Sequence, residues 1–320
     1  MKKKLLQCGG FLLTFCLVFQ LLTSVFLPKD NAPEAGIHDY TAKGFLAEPE
    51  NSIDVFFVGD SEVFSTFIPL RIWEQYGITS YNCSVGDQTI YQSLGYLNRA
   101  LENQNPKIVV LETYSLFREF TLADMISHWA QDQFPFLRYH DRWKKLSVTD
   151  WTEPVDFRYL ERDKGYVYRS RAIPADDQGH MEPSEDVYSV PLLSLWYFRQ
   201  IYNICQQRGI QLMLVSTPST TNWDTYHHNG IVELLEGLDA AYIDMNLLTR
   251  EIPIDWSTDT YDAGDHLNYY GACKVTDYMG AWLENTGLFA DKRNEAAYAP
   301  WNAALAEFQE MLAQEKALAQ

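Results

Sequence analysis

Apolar and polar positions alternate along this chain in three different patterns, each of which predicts a different kind of element. The first is an unbroken run: from Leu5 to Pro28 there are 24 residues without a charge, preceded by Lys2-Lys3-Lys4. A run of that length crosses a bilayer core as a helix, and lysines on one side only keep that side in the cytoplasm. A cleaved secretory signal is the competing reading, but the run is long and no small-x-small site closes it. The expectation is a transmembrane signal-anchor over 1–28, a polar connector over 29–51, and a globular part beyond it outside the cytoplasm. The chain would then be a single-pass protein of the cell membrane.

The second pattern is short apolar runs that end in turn residues. Ile53 to Ser61 reads IDVFFVGDS, a buried strand closing in a Gly/Asp/Ser turn. Ile78–Cys83, Ile108–Leu111, Ile210–Val215 and Ala241–Met245 repeat the form. Between them lies the third pattern, apolar residues at steps of three and four. It covers Glu62–Tyr76, Thr89–Asn103, Leu192–Arg208 (stopped by Gly209), Ile231–Leu238 and Gly271–Asn285. Strands alternating with helices predict a parallel sheet covered on both faces, a three-layer α/β/α arrangement over 52–287. The alternation lapses over about 118–190, where Trp129, Phe134, Phe136, Trp143, Trp151, Tyr166 and Tyr168 mix with charges. That stretch reads as an insertion, either a lid or substrate platform over the carboxyl edge of the sheet or a helical insert with its own small core. Residues 288–320 are rich in Ala and Glu and predict a peripheral helical tail.

Charge and cysteine usage narrow the function. The formal net charge is −18, and −21 once Lys2, Lys3 and Lys4 are set aside. Such a surface repels nucleic acid and anionic lipid, which excludes nucleic acid as a partner. Of five cysteines, Cys8 and Cys16 fall in the apolar run; Cys83, Cys205 and Cys273 are too sparse for a disulfide scaffold or a zinc site. No cofactor and no metal is expected.

The candidate chemistry lies in two stretches some two hundred residues apart. Ser61 would stand at the carboxyl end of a strand, where open α/β sheets place their ligands, and at the start of a helix that brings backbone N–H groups near it. By itself this is also the pattern of an ordinary capped turn. The second stretch, Tyr261 to Ala272, reads YDAGDHLNYYGA and precedes the last helix. A serine hydroxyl needs an imidazole to take its proton, and the imidazole needs a carboxylate to fix its tautomer. His266 with Asp262 and Asp265 offers both. Neighbouring side chains diverge, whereas a residue four positions earlier can return across a turn at Gly264; Asp262 is therefore the expected orienting carboxylate and Asp265 the reserve.

With these two stretches the chain resembles the SGNH/GDSL hydrolase superfamily, over roughly Ile53 to Leu283. Val58-Gly59-Asp60-Ser61 is similar to its nucleophile block, Asn82 to Gly86 to the block whose glycine N–H serves the oxyanion hole, and Asp262 to His266 to its closing Asp/His block. Within the superfamily it looks most like membrane-anchored members such as the alginate O-acetylation proteins and the D-alanyl transfer protein of teichoic-acid modification. The resemblance implies a flavodoxin-like SGNH fold. It also implies an acyl-serine mechanism on acylated carbohydrate or cell-envelope polymer, as O-acyltransferase or O-acylesterase, with a membrane-bound O-acyltransferase as partner in some members. Two departures stand out. The third block's Gly-x-Asn-Asp is replaced by Glu112-Thr113-Tyr114, so its side-chain amide is missing and Asn82 or Gln88 would have to substitute. Loss of such a donor costs about 3 kcal/mol in barrier, so low hydrolase activity is expected. The Asp normally three before the His is Ala263 here. The missing amide also leaves room for a competing reading, a non-catalytic envelope scaffold that keeps the fold and binds a glycan or an acyltransferase.

Overall fold

A computed structural model describes residues 2–176 and 179–318. It separates into two units, Met1–Tyr40 with Phe120–Tyr159, and Thr41–Glu119 with Leu160–Gln320.

The larger unit is built on five parallel strands: β1 (Val55–Gly59), β2 (Ser80–Ser84), β3 (Ile108–Glu112), β4 (Gln211–Ser216) and β5 (Ala241–Asp244), ordered β2-β1-β3-β4-β5. β1 and β3 are buried along their whole length, which is why they read as continuous apolar runs and not as alternation. Successive side chains point to opposite faces. Val55, Phe57 and Val110 pack with Val63, Phe67, Ile72, Val275 and Met279, from the Ser61–Thr66, Pro69–Tyr76 and Tyr269–Asn285 helices. Helices Ile90–Ala100 and Leu192–Arg208 pack together on the other face, against β1 and β4. The result is the expected three-layer α/β/α architecture with a parallel sheet. Register places the strand ends in one row, with Gly59 opposite Ser84, and Ser216 opposite Asp244.

Four elements differ from the sequence reading, each for a local reason. The helix expected over Glu62–Tyr76 is two helices. Pro69 forces Ile68 into extended backbone and cannot continue the ladder. The broken groups find partners elsewhere: Phe67 O accepts from the Asn82 amide at 2.8 Å and Ile68 N–H donates to Thr276 Oγ1 at 3.1 Å. The helix expected over Ile231–Leu238 runs instead from Thr225 to Leu234, because Asp224 caps it by accepting from His227 N–H. The C-terminal helix, Ala299–Leu318, is not peripheral: Trp301, Ala304 and Phe308 are buried in a cluster with Trp73 and Tyr166. The 118–190 stretch divides between the two units. Phe120–Tyr159 groups with Met1–Tyr40, and its Trp129, Trp143 and Trp151 stay exposed and form no core. The part after it runs as an irregular strap of the larger unit, donating from Val167 N to Phe64 O and from Ile173 N to Thr260 O.

The turn after β1 is sterically tight. A Cβ on Gly59 would lie 2.6 Å from Glu112 Cβ and 2.7 Å from Val63 Cγ2. Gly59→Ala is expected to destabilise the fold by about 1–3 kcal/mol through overpacking, read as a lowered melting temperature in detergent.

Candidate active site

Three loops meet at the carboxyl edge of the sheet. The first is the turn from β1 into the Ser61–Thr66 helix. Asp60 caps that helix, its Oδ1 accepting from Glu62 N–H at 3.0 Å, and Ser61 is the first helical residue. The second is the loop after β2, where Gly86 is exposed with open space around its Cα and Asp87 holds a left-handed backbone at φ 54°. The third is the closing loop before the Tyr269–Asn285 helix. It is pinched by the Thr260–Leu267 bridge and turns through Ala263 (φ 62°) and Gly264 (φ 96°). A Cβ on Gly264 would lie 2.0 Å from Thr220 Oγ1, so only glycine fits that turn.

The turn brings Asp262 back onto His266 twice. Asp262 Oδ1 accepts from the His266 backbone N–H at 2.7 Å, and Oδ2 is 2.8 Å from the ring Nδ1. Asp265 Oδ2 is 3.6 Å from the same nitrogen, beyond hydrogen-bond range, and its Oδ1 is taken by the Asn222 amide. The other ring nitrogen, Nε2, is buried and has no hydrogen-bond partner among the described residues. A ring nitrogen of His266 lies within 4.8 Å of carboxylate oxygens of Glu62 and Asp265, which places the closing loop beside the residue that follows Ser61. Among the described residues, these three groups could hold a metal ion; in this arrangement the Asn222 amide bridges the two carboxylates, reaching Glu62 Oε1 at 2.8 Å.

Asn82 and Gln88 do not come to this edge with free donors. The Asn82 amide donates to Phe67 O and to Val63 O, and Gln88 Nε2 donates to Cys83 O and Ser93 Oγ. Both side chains are fully buried. An amide has two N–H groups, so neither residue retains one for a substrate oxygen. The expectation that one of them replaces the missing amide is corrected on that count.

What sequence reasoning missed is a cluster of buried charge. Asp60, Glu62 and Glu112 are all fully buried near the strand ends. Burial pushes Glu62 well above its ordinary carboxylate value, and repulsion from Asp60 and Glu112 adds to it. Glu112 is raised in the same way, by burial first and by Asp60 next, although it accepts from Tyr114 N–H and Ser115 N–H. Asp60 is raised by burial against the opposing pull of Arg118. Arg118 lies six residues beyond the end of β3; its Nε pairs with Asp60 and its Nη1 with Asp87 at 2.7 Å. It thus ties together the neighbours of Ser61 and Gly86. Asp60 is the end that matters, because Asp87 is exposed and such a surface pair contributes at most about 1 kcal/mol. No local pattern announces Arg118. Asp60 and Glu112 are visible in the sequence as block residues, but nothing there shows that they and Glu62 are buried together.

Several solved structures are similar to this chain. A psychrotrophic esterase of a Pseudoalteromonas species is 12% identical, with 73% of this chain and 97% of that chain covered at a TM-score of 0.39. A GDSL-like lipase of Bacteroides thetaiotaomicron is 10% identical, with coverage of 77% and 94% at 0.38. A catalytic mutant of an acetylxylan esterase of Geobacillus stearothermophilus is 10% identical, with coverage of 78% and 100% at 0.39. No protein-family model and no curated protein matches the sequence.

The raised Glu62 has a consequence for stability. The folded state holds that proton more tightly than the unfolded chain, so the stabilisation is complete below the ordinary glutamate range and is lost as pH rises from there toward the raised value. Glu62→Gln removes this loss. The melting temperature of the variant relative to the parent is expected to rise steadily as pH is taken from acid to neutral and above, measured by thermal melts across that range.

Proposed function

We propose that this chain is a membrane-anchored serine O-acylesterase or O-acyltransferase of the SGNH/GDSL type, working outside the cytoplasm. Its substrate would be acyl groups, chiefly acetyl, carried by cell-envelope or exopolysaccharide carbohydrate. The observation that carries the reading is His266, with Nδ1 fixed by Asp262 at 2.8 Å and Nε2 left without a partner beside the nucleophile turn. An imidazole held in this way has one tautomer, with the proton on Nδ1 and a lone pair on Nε2 ready for a hydroxyl proton. The strand–turn–helix placement of Ser61 supports it as the source of that proton.

In this mechanism His266 takes the Ser61 proton as Oγ attacks the acyl carbonyl carbon. The negative charge that develops on the carbonyl oxygen is met by the backbone N–H groups of Ser61 and Gly86. His266 then returns the proton to the departing sugar oxygen, leaving acyl-Ser61. A second hydroxyl, from water or from an acceptor sugar, is deprotonated by the same imidazole and releases the acyl group. The open position of Gly86 supports access for a bulky substrate. With water as acceptor the chain is an esterase; with a sugar it is a transferase, supplied with acyl groups by a membrane-bound O-acyltransferase. The second reading, a non-catalytic scaffold binding a glycan or such a partner, is favoured by one observation: Asn82 and Gln88 have no donor left for the oxyanion.

Labelling separates the two. A serine-reactive fluorophosphonate is expected to modify the parent and not Ser61→Ala, and p-nitrophenyl acetate turnover is expected to vanish with it; equal behaviour of parent and variant favours the scaffold. Asp262→Asn should lower turnover by about 10⁴, the size of the loss where a serine triad is left with the wrong tautomer. Asp265→Asn, whose carboxylate is held by Asn222, should lower it far less. The reverse ranking would reassign the orienting role.

A further inference from the structure

Trp129, Trp143 and Trp151 of the Phe120–Tyr159 segment are exposed, while Tyr139 is buried, and the segment's placement against the N-terminal helix bears on what its exposed residues face. That helix, Lys2–Phe26, contains a stretch from Leu6 to Phe26 that is long and apolar enough to cross a membrane and is almost wholly exposed. At 1.5 Å per residue its 21 residues measure about 30 Å, the thickness of a hydrocarbon core. With Leu6 and Phe26 at the two edges, Phe19 lies about 10 Å inside the leaflet through which the chain emerges. The Phe134 and Phe136 rings stand edge-on against the Phe19 ring, at centroid distances of 5.3 and 5.0 Å. The segment that carries them is therefore at the depth of the acyl chains.

The neighbouring elements are made for that depth. Helix Leu122–Gln133 exposes Leu122 (65%), Ile126 (66%) and Trp129 (59%) at steps of four and three, one stripe on one side of the helix. Ser127, Gln131 and Asp132 fall on its other sides. Trp143 is exposed with the Lys144 ammonium 5.4 Å from its ring centre, an aromatic body beside a cation that can reach water. Lys29, the first residue past the apolar run and Pro28, folds its ammonium back onto Ser24 O at 2.7 Å. Exposed apolar stripes and tryptophans of this kind are a liability in water and are what a membrane–water interface holds.

We propose that Phe120–Tyr159 is a membrane-embedded collar, with the Leu122–Ile126–Trp129 stripe and Trp143 inserted in the leaflet from which the anchor helix emerges. The occupant of this surface is lipid. The collar goes beyond the catalytic reading and does not depend on Ser61; it rests only on the N-terminal helix as a span. Inserted at two places, the chain has its emergence from the bilayer fixed by more than a single flexible tether.

The test uses the full chain in lipid nanodiscs of phosphatidylcholine and phosphatidylglycerol, with Cys8, Cys16 and Cys273 changed to Ser. Nitroxide labels are placed one at a time through Ile126→Cys, Trp129→Cys, Val18→Cys in the anchor helix, and Trp196→Cys on the exposed side of the Leu192–Arg208 helix. Collision with oxygen, which concentrates in lipid, is compared with collision with a water-soluble nickel chelate. Labels at 126 and 129 are expected to favour oxygen over nickel, as the label at 18 does, with the order reversed at 196. Labels at 126 and 129 that behave like 196, while 18 favours oxygen, overturn the collar and leave the anchor standing. Labels at 126 and 129 shielded from both reagents mean that protein, not lipid, covers the stripe, and also overturn it. A label at 18 that favours nickel removes the span and the collar together.

Discussion

Parallel pairing of β1 with β2 on one side and β3 on the other is the constraint on which the rest of this protein depends. In a sheet covered on both faces the inner strands β1 and β3 read as apolar runs, and most polar groups are pushed to the strand ends. They collect where the strands stop, and parallel pairing makes all the strands stop at the same edge. Gly59, Ser84, Glu112, Ser216 and Asp244 end the five strands there, and the loops that follow them carry Ser61, Gly86, Arg118 and Asn222. The closing loop arrives from the other end of the sequence because the Tyr269–Asn285 helix packs beside the Ser61–Thr66 helix. The placement of the closing loop beside Glu62, the residue after Ser61, is thus a product of layer packing, and Gly59 keeps the turn beneath it thin enough.

Crowding acids at one edge has an energetic cost and a use. Three fully buried carboxyls cannot all hold a charge against one partly exposed arginine, so burial and mutual repulsion raise Glu62 and Glu112. Raised carboxyls spare this edge a surplus of negative charge. Asp262 is not in that buried group; it stands in a turn at the rim, partly open to water, paired with the imidazole. Asp265 sits as near in sequence but is bound by Asn222. One amide therefore decides which of two carboxylates faces Nδ1.

Much of this could be read from the chain, and what could not has a common cause. Continuous apolar runs ending in Gly/Asp/Ser turns located every strand, and steps of three and four located most helices, because both signals are local. The Asp262–His266 pairing was legible because the spacing and Gly264 allow a return across the turn. Asn82 and Gln88 looked available only because the break at Pro69 was not seen: the carbonyl that the break exposes is what consumes the Asn82 amide. Arg118 and Asn222 join the site through long-range packing and leave no trace in spacing, and Glu112, visible at its strand end, gave no sign of its burial beside Asp60. The aromatic segment after Glu119 was ambiguous between a lid and an insert with its own core because aromatic residues signal burial without saying against what, and Trp129, Trp143 and Trp151 are exposed in the structure.

The central claim is that Ser61 becomes acylated. The direct measurement is rapid acid quench of the full chain during turnover of p-nitrophenyl acetate, followed by mass spectrometry of the intact protein and its peptides. The account predicts one added acetyl group on the peptide containing Ser61, accumulating before steady state and disappearing as substrate is exhausted. Turnover without acetyl on that peptide, or acetyl carried stably by another residue, would contradict it.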